Sequence, residues 1–129
     1  MQRLSLIIEK KDTILTGRII YENNLIIVES NELYTLENKM KRQLKRHHQV
    51  NVDNLRFECK YDLSVLFEVF SFLKISKIAI LAGVNSSLLR QYAIGNKHAS
   101  PTQAKKIERT VHEIAKKLSV VQVYSKVDG

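Results

Sequence analysis

The chain of 129 residues is long enough for one ordinary domain or two very small ones, and its 44% apolar and 26% charged residues are typical of a soluble globular protein. Its apolar runs are shorter than the ~20 residues of a membrane span and than the apolar core of a signal peptide, and its single cysteine excludes an internal disulfide. The net charge of +8 favours a polyanionic partner, and the lone thiol favours the reducing cytoplasm.

In the first 61 residues, apolar and polar side chains alternate as in strands, except in one segment where the apolar residues follow a helical period. The segments LSLIIEKKD, TILTGRIIYE and NNLIIVES predict three short strands separated by charged or asparagine-containing turns. An amphipathic helix is predicted over residues 32–47, where apolar side chains recur at steps of three and four: Leu33, Leu36, Met40 and Leu44. A fourth strand, LRFECKY, places Cys59 as a buried thiol on its inner face. Residues 1–61 are therefore expected to form a β-β-β-α-β domain.

Helical patterns dominate the second half of the chain. SVLFEVFSFL is apolar nearly all round and predicts a core helix, and two short helices follow over residues 76–82 and 86–94. The last helix begins with SPTQ, in which Ser100 can cap, a proline takes the first helical position and Gln103 completes a capping box. VVQVY predicts a final strand or an extended tail. The chain is thus expected to be α+β, with a helical second domain, residues 62–129, that ends in a C-terminal strand.

The two short helices carry the features of a helix-turn-helix unit in the segment ISKIAILAGVNSSLLRQYAIG. Two helices that cross steeply need small residues where they approach and a glycine in the turn, and Ala79, Ala82 and Gly83 supply them. The apolar residues of the pair are expected to form its core: Ile78, Val84, Leu89 and Tyr92. The alternative, two ordinary packed helices with a polar outside, stays open because a helix–glycine–helix pattern alone is common.

The polar residues of this unit have the chemistry of a DNA-reading surface. A recognition helix lies in the major groove, where arginine pairs with guanine and glutamine or asparagine pairs with adenine. The residues expected to contact bases are Asn85, Ser86, Ser87, Arg90 and Gln91, and those expected to contact phosphates are Ser76, Lys77, Lys97 and His98. The sequence therefore predicts double-stranded DNA as a partner.

The second half of the chain resembles the C-terminal part of HicB-like antitoxins that carry a helix-turn-helix, above all in LAGVNSSLLRQYAIGNKHAS and QAKKIERTVHEIAKKL. The predicted β-β-β-α-β order is similar to the small N-terminal domain of that family, which has a degenerate RNase H-like fold. The resemblance implies an N-terminal domain that neutralises a small mRNA-cleaving toxin, HicA, and a C-terminal domain that represses its own promoter as a dimer or higher oligomer. The segment IIYENNLIIVESNELYTLENK lacks the glycine and proline that the family carries there. A stand-alone regulator without toxin-neutralising activity is therefore the alternative.

The residue patterns predict neither an enzyme nor a metal or cofactor site. HEIAK begins like the zinc signature HExxH but has Lys116 in place of the second histidine. The adjacent His47 and His48 point about 100° apart on a helix and cannot chelate together. The aspartates are scattered, whereas RNase H-like catalysis needs clustered carboxylates around a metal. We therefore expect a binding protein that needs no cofactor.

Two further surfaces have open interpretations. The basic face of the helix over residues 32–47 is either solvated or a surface for RNA or toxin, and it consists of Lys39, Lys41, Arg42, Lys45 and Arg46. The VVQVY tail is either a dimer contact or a strand paired within its own chain. We expect a homodimer with half-sites one helical turn apart, because a single unit makes few base contacts. A pure protein-interaction module and RNA binding through the N-terminal sheet are the competing functions.

Overall fold

Four strands form one mixed sheet in the computed structural model, which describes residues 1–127. The strands are β1 (Gln2–Lys11), β2 (Ile14–Tyr21), β3 (Asn24–Ser30) and β4 (Leu55–Tyr61). Their order in the sheet is β3-β2-β1-β4. The pairs β1–β2 and β2–β3 are antiparallel, and β4 runs parallel to β1.

Five helices accompany the sheet over the described residues: α1 (Leu33–His48), α2 (Leu63–Val69), α3 (Ile75–Ala82), α4 (Ser86–Ile94) and α5 (Pro101–Ser119). A 3-10 turn, Val52–Asn54, leads from α1 into β4. α1 serves as the crossover that a parallel strand pair requires. The predicted α+β class and the β-β-β-α-β order of the first 61 residues are confirmed. None of these helices is both long and apolar enough to cross a membrane.

One face of the sheet is buried and the other is open, because side chains alternate along each strand. The buried face holds Leu6, Ile8, Leu15, Ile19 and Val28, and α1 packs on it with Leu36, Met40 and Leu44. Gly17 of β2 lets α1 approach the sheet closely, since a Cβ at this position would lie 3.1 Å from Leu36 Cδ2 and 3.2 Å from Leu6 Cδ1. The open face is partly apolar: Ile20, Leu25 and Ile27 are 57–73% exposed.

The connection between β2 and β3 is a two-residue turn. Glu22 and Asn23 both have positive φ, at 47° and 67°. Positive φ at both central residues is the geometry of a type I′ hairpin turn, which matches the twist of the flanking strands and favours asparagine. The asparagine-containing turn expected from the sequence is confirmed.

α2 belongs to two hydrophobic cores. Val65 packs into the core between the sheet and α1. Leu63 and Phe67, which lie one helical turn apart, pack into a second core built by α3, α4 and α5. Asp62 caps the helix, with its carboxylate accepting a hydrogen bond from the Ser64 backbone N–H at 3.3 Å. The predicted domain boundary between residues 61 and 62 therefore falls directly before a helix that both cores share.

The chain departs from the prediction in two places. α2 ends at Val69 although the apolar pattern continues, because Phe70 leaves the helical conformation and its ring packs edge-on against Tyr61 at 5.8 Å. Phe72 is consequently 77% exposed instead of buried in a core helix. Of the two alternatives for the C-terminal segment, the strand is wrong and the tail agrees with the structure: residues 121–127 have no regular secondary structure, their side chains are exposed, and no described strand runs beside them. Residues 128 and 129 of the second predicted domain lie outside the described part of the chain.

Candidate nucleic-acid interface

α3 ends in a glycine turn that sets the start of α4. Gly83 has φ 69°, its N–H donates to the Ile80 carbonyl at 3.3 Å, and the Val84 N–H donates to the Ala79 carbonyl at 2.9 Å. This pair of bonds is the Schellman arrangement, which requires a left-handed residue after the helix. A Cβ on Gly83 would meet nothing within 4 Å. The glycine is therefore needed for its backbone conformation and not for space.

α4 begins at a side-chain cap. The Asn85 Oδ1 accepts a hydrogen bond from the Leu88 N–H at 3.0 Å, which satisfies one of the free donors of the first turn. The far end closes in the same way as α3: Gly95 has φ 85°, and the Asn96 N–H donates to the Gln91 carbonyl at 2.9 Å. Both ends of this nine-residue helix are thus fixed by local bonds.

The two sides of α4 differ in burial. Leu89 and Tyr92 are buried in the second core, as the sequence predicts, together with Ile78 and Val84 from α3 and the turn. The side chains at helical spacing on the other side point outward, and they are Ser87, Arg90, Gln91 and Ile94. α4 therefore presents one continuous outer row above a buried inner row.

The residues predicted to contact DNA all lie on α3, on α4, in the turn between them or in the loop after α4. Six of them are exposed: Lys77, Asn85, Ser87, Arg90, Lys97 and His98. Ser76, Ser86 and Gln91 are half-buried. The Asn85 side-chain oxygen accepts the capping hydrogen bond, and its two amide N–H donors point to a role as donor toward a ligand.

The charge around these residues is of one sign. Residues 69–107 contain six lysines and arginines and not one aspartate or glutamate. The nearest carboxylates in sequence are Glu68 and Glu108, which pair with Lys10 and Lys105 at 2.9 and 2.8 Å. A segment with six cations and no carboxylate favours a negatively charged partner.

Three exposed apolar residues of this region were not predicted. Ile94 is 70% exposed and completes the outer row of α4, seven residues after Ser87. Ile80 and Leu81 are exposed on the outer side of α3. The spacing of Ile94 from Arg90, four residues, is the signal that could have placed it with the polar row.

A separate polar cluster lies at the junction of the two cores. The Cys59 Sγ–H donates to Glu37 Oε1 at 3.5 Å. Burial, reinforced by the Glu37 carboxylate, raises the pKa of Cys59 to about 11 and, together with Cys59, the pKa of Tyr61 to about 12. Both groups are therefore protonated at neutral pH, which does not suit a nucleophile. A cleft of about 550 Å³ between β4, α2 and α5 borders them.

Histidines and carboxylates also lie together on α5, where Glu108, His112 and Glu113 line one shallow surface. His112 and Glu113, which begin the zinc-like segment, are both exposed on α5. Across residues 1–127, no group of three or more His, Cys, Asp and Glu side chains is close enough to hold a metal ion.

The comparisons with known proteins do not extend this picture. No protein-family model, no curated protein and no solved structure matches the chain.

Proposed function

We propose that this chain is a sequence-specific DNA-binding protein in which α3 and α4 form a helix-turn-helix and α4 is the recognition helix. The outer row of α4 carries the proposal. It combines small, amide, guanidinium and apolar side chains on a short helix whose other side is buried. The surrounding 69–107 segment has no carboxylate that would repel phosphates.

Each member of the row has a base-edge partner by chemistry. Arg90 suits the two acceptors of guanine, and Gln91 suits the acceptor–donor pair of adenine. Ser87 is small enough to let the helix approach, and Ile94 suits a thymine methyl group. Lys77, Lys97 and His98 flank the row and would hold phosphates, which fixes register without reading sequence.

A homodimer is part of the proposal, because one nine-residue helix reads too few bases for tight specific binding. The C-terminal segment supports it. Val120, Val121, Val123, Tyr124 and Val127 are 59–91% exposed and have no strand partner in the described chain. Exposed apolar residues in such number favour burial against another chain, and a second copy is the proposed one.

The N-terminal half is proposed to bind a protein partner, a small toxin of the HicA type, on a degenerate RNase H-like domain. The chain would then be a cytoplasmic antitoxin and autorepressor, as its resemblance to HicB-like antitoxins implies. The open sheet face supports a protein partner, since Ile20, Leu25 and Ile27 are exposed beside one another on β2 and β3. A stand-alone regulator or a pure protein-interaction module is the alternative.

The test of DNA binding is a titration with the duplex upstream of the gene and with a scrambled duplex of the same composition, over a series of salt concentrations. We expect the wild type to prefer the upstream duplex, and Arg90→Ala with Gln91→Ala to lose that preference. The matched control is Gln2→Ala with Arg56→Ala, which removes the same side-chain types from exposed positions of the sheet. Equal binding of both duplexes by the wild type, or an unchanged preference in the α4 variant, would overturn the recognition-helix assignment.

A further inference from the structure

The outer face of α1 carries five cations that the protein itself does not neutralise. They are Lys39, Lys41, Arg42, Lys45 and Arg46. The ion pairs of residues 1–127 join other cations to carboxylates, and none of them involves α1. Glu37, one turn before Lys41, accepts a hydrogen bond from Cys59 instead. These five cations therefore have no ion-pair partner within residues 1–127.

These cations also repel one another. Lys39–Arg42 and Arg42–Lys45 are three residues apart, and Lys41–Lys45 and Arg42–Arg46 are four apart, which are the spacings at which helical side chains meet. Like charges at these spacings destabilise a helix. The helix dipole favours cations in the last turn and so accounts for Lys45 and Arg46, but it does not account for the other three.

Three of the cations surround a groove beside β3. The groove has a volume of about 460 Å³ and is lined by Val28, Glu29, Lys39, Arg42, Gln43 and Arg46. The Lys39 Nζ donates to the Glu29 backbone carbonyl at 2.7 Å, which holds this ammonium at the rim. Glu29, which alternates with the buried Val28 and Ser30, is exposed and is the one acidic residue among the six that line the groove. The groove thus offers donors and positive charge to an anion.

We propose that this basic face of α1 binds the phosphate backbone of double-stranded DNA, as a second contact outside the α4 row. Residues 39 to 46 extend over about 10 Å of helix axis, which corresponds to about three phosphate steps on one strand. Arginines one turn apart can each donate two hydrogen bonds to phosphate oxygens. The inference rests on the proposed function, and it adds affinity without adding sequence preference.

The experiment is the salt dependence of DNA binding by the full chain. In Lys39→Gln/Arg42→Gln/Arg46→Gln, we expect the slope of log K against log salt to fall in magnitude by about 2 to 3, because each phosphate contact contributes about 0.9. The preference for the upstream over the scrambled duplex should be unchanged. The matched control, Lys11→Gln/Arg56→Gln/Lys60→Gln, removes the same charge from exposed positions outside α1 and should keep the wild-type slope.

Each outcome of this experiment supports or overturns the proposed contact between α1 and DNA. Equal slopes in the two triple variants would mean that net charge alone acts, and an unchanged slope in the α1 variant would exclude the contact. A loss of affinity for an RNA hairpin with unchanged DNA binding would assign the face to RNA and overturn the proposal. Loss of sequence preference in the α4 variant tests the recognition helix independently, so the two failures are distinguishable. Arg42→Lys/Arg46→Lys keeps the charge and should keep the slope. Urea denaturation of the neutral variant should show stability at or above that of the wild type, because the like-charge repulsion is removed, and this excludes a folding defect as the cause of its slope.

Discussion

Replacing Asn85 by aspartate separates its role as a cap from its place at the DNA surface. The side-chain oxygen that accepts from the Leu88 N–H at 3.0 Å is retained in aspartate. The added negative charge at a helix N-terminus contributes about 0.3–1 kcal/mol to the free energy of unfolding. We therefore expect Asn85→Asp to be at least as stable as the wild type, whereas Asn85→Ala should lose about 1 kcal/mol. Urea denaturation measures both changes.

The Asn85→Asp protein should bind DNA more weakly than the wild type, although it is expected to be at least as stable. A carboxylate about 6 Å from a phosphate costs about 1–2 kcal/mol at an effective dielectric between those of water and the protein surface. That cost corresponds to about 5- to 30-fold weaker binding. Asn24→Asp is the matched control for DNA affinity, because Asn24 is exposed at the start of β3, away from α3 and α4 in the sequence, and the substitution is identical. A less stable Asn85→Asp protein would refute the cap, and equal DNA affinity in the two aspartate variants would refute the position of α4 at the duplex.

Three further outcomes can be measured. Gly17→Ala should destabilise the chain by about 1–3 kcal/mol, because its methyl group would lie 3.1 Å from the buried Leu36 side chain. This cost should shrink when Leu36→Ala is added. Strictly additive costs of the two substitutions in urea denaturation would contradict the contact. Cys59 in the folded protein should react with a disulfide reagent at pH 8 about 10-fold more slowly than Cys59 in the unfolded chain. Its pKa of about 11 leaves little thiolate, and the higher nucleophilicity of that thiolate offsets only part of this loss. Glu37→Gln should accelerate the reaction, and a rate equal to that of the unfolded chain would disprove the protected site. Deletion of residues 120–129 should convert a dimer to a monomer in analytical ultracentrifugation and weaken binding to a two-half-site duplex, whereas an unchanged sedimentation coefficient would exclude the segment as the dimer contact.

The periodicity of apolar residues was sufficient to predict the helices and strands that bury only one side. The apolar residues of α1 recur at helical steps and those of β1 alternate, so both elements and their inward residues could be predicted. The α3–α4 core was predictable for the same reason, together with the conformational requirement at Gly83. In these segments the local pattern and the tertiary packing favour the same structure.

The sequence was ambiguous where apolar residues occupy both sides of an element. Phe70 and Phe72 continue the apolar run of α2, yet the helix ends at Val69 and the Phe70 ring packs on Tyr61, a contact between residues that the helical pattern does not specify. Ile94 has the composition of a core residue but lies on the exposed row. The valines of the tail have high strand propensity, yet a strand requires a neighbour that this part of the sequence does not specify. Hydrophobicity identifies a residue that needs a partner without identifying the partner.

The sharing of α2 limits how the protein can be divided. A fragment that starts at residue 62 keeps Leu63 and Phe67 in their core but exposes Val65, which is fully buried in the intact chain. A fragment that stops at residue 61 deprives the sheet and α1 of that same valine. Substituting Val65 by a polar residue in the first fragment, and extending the second to Val69, would give each half a complete apolar interior. Truncation at the apparent boundary, in contrast, would produce two pieces that each carry a defect absent from the whole.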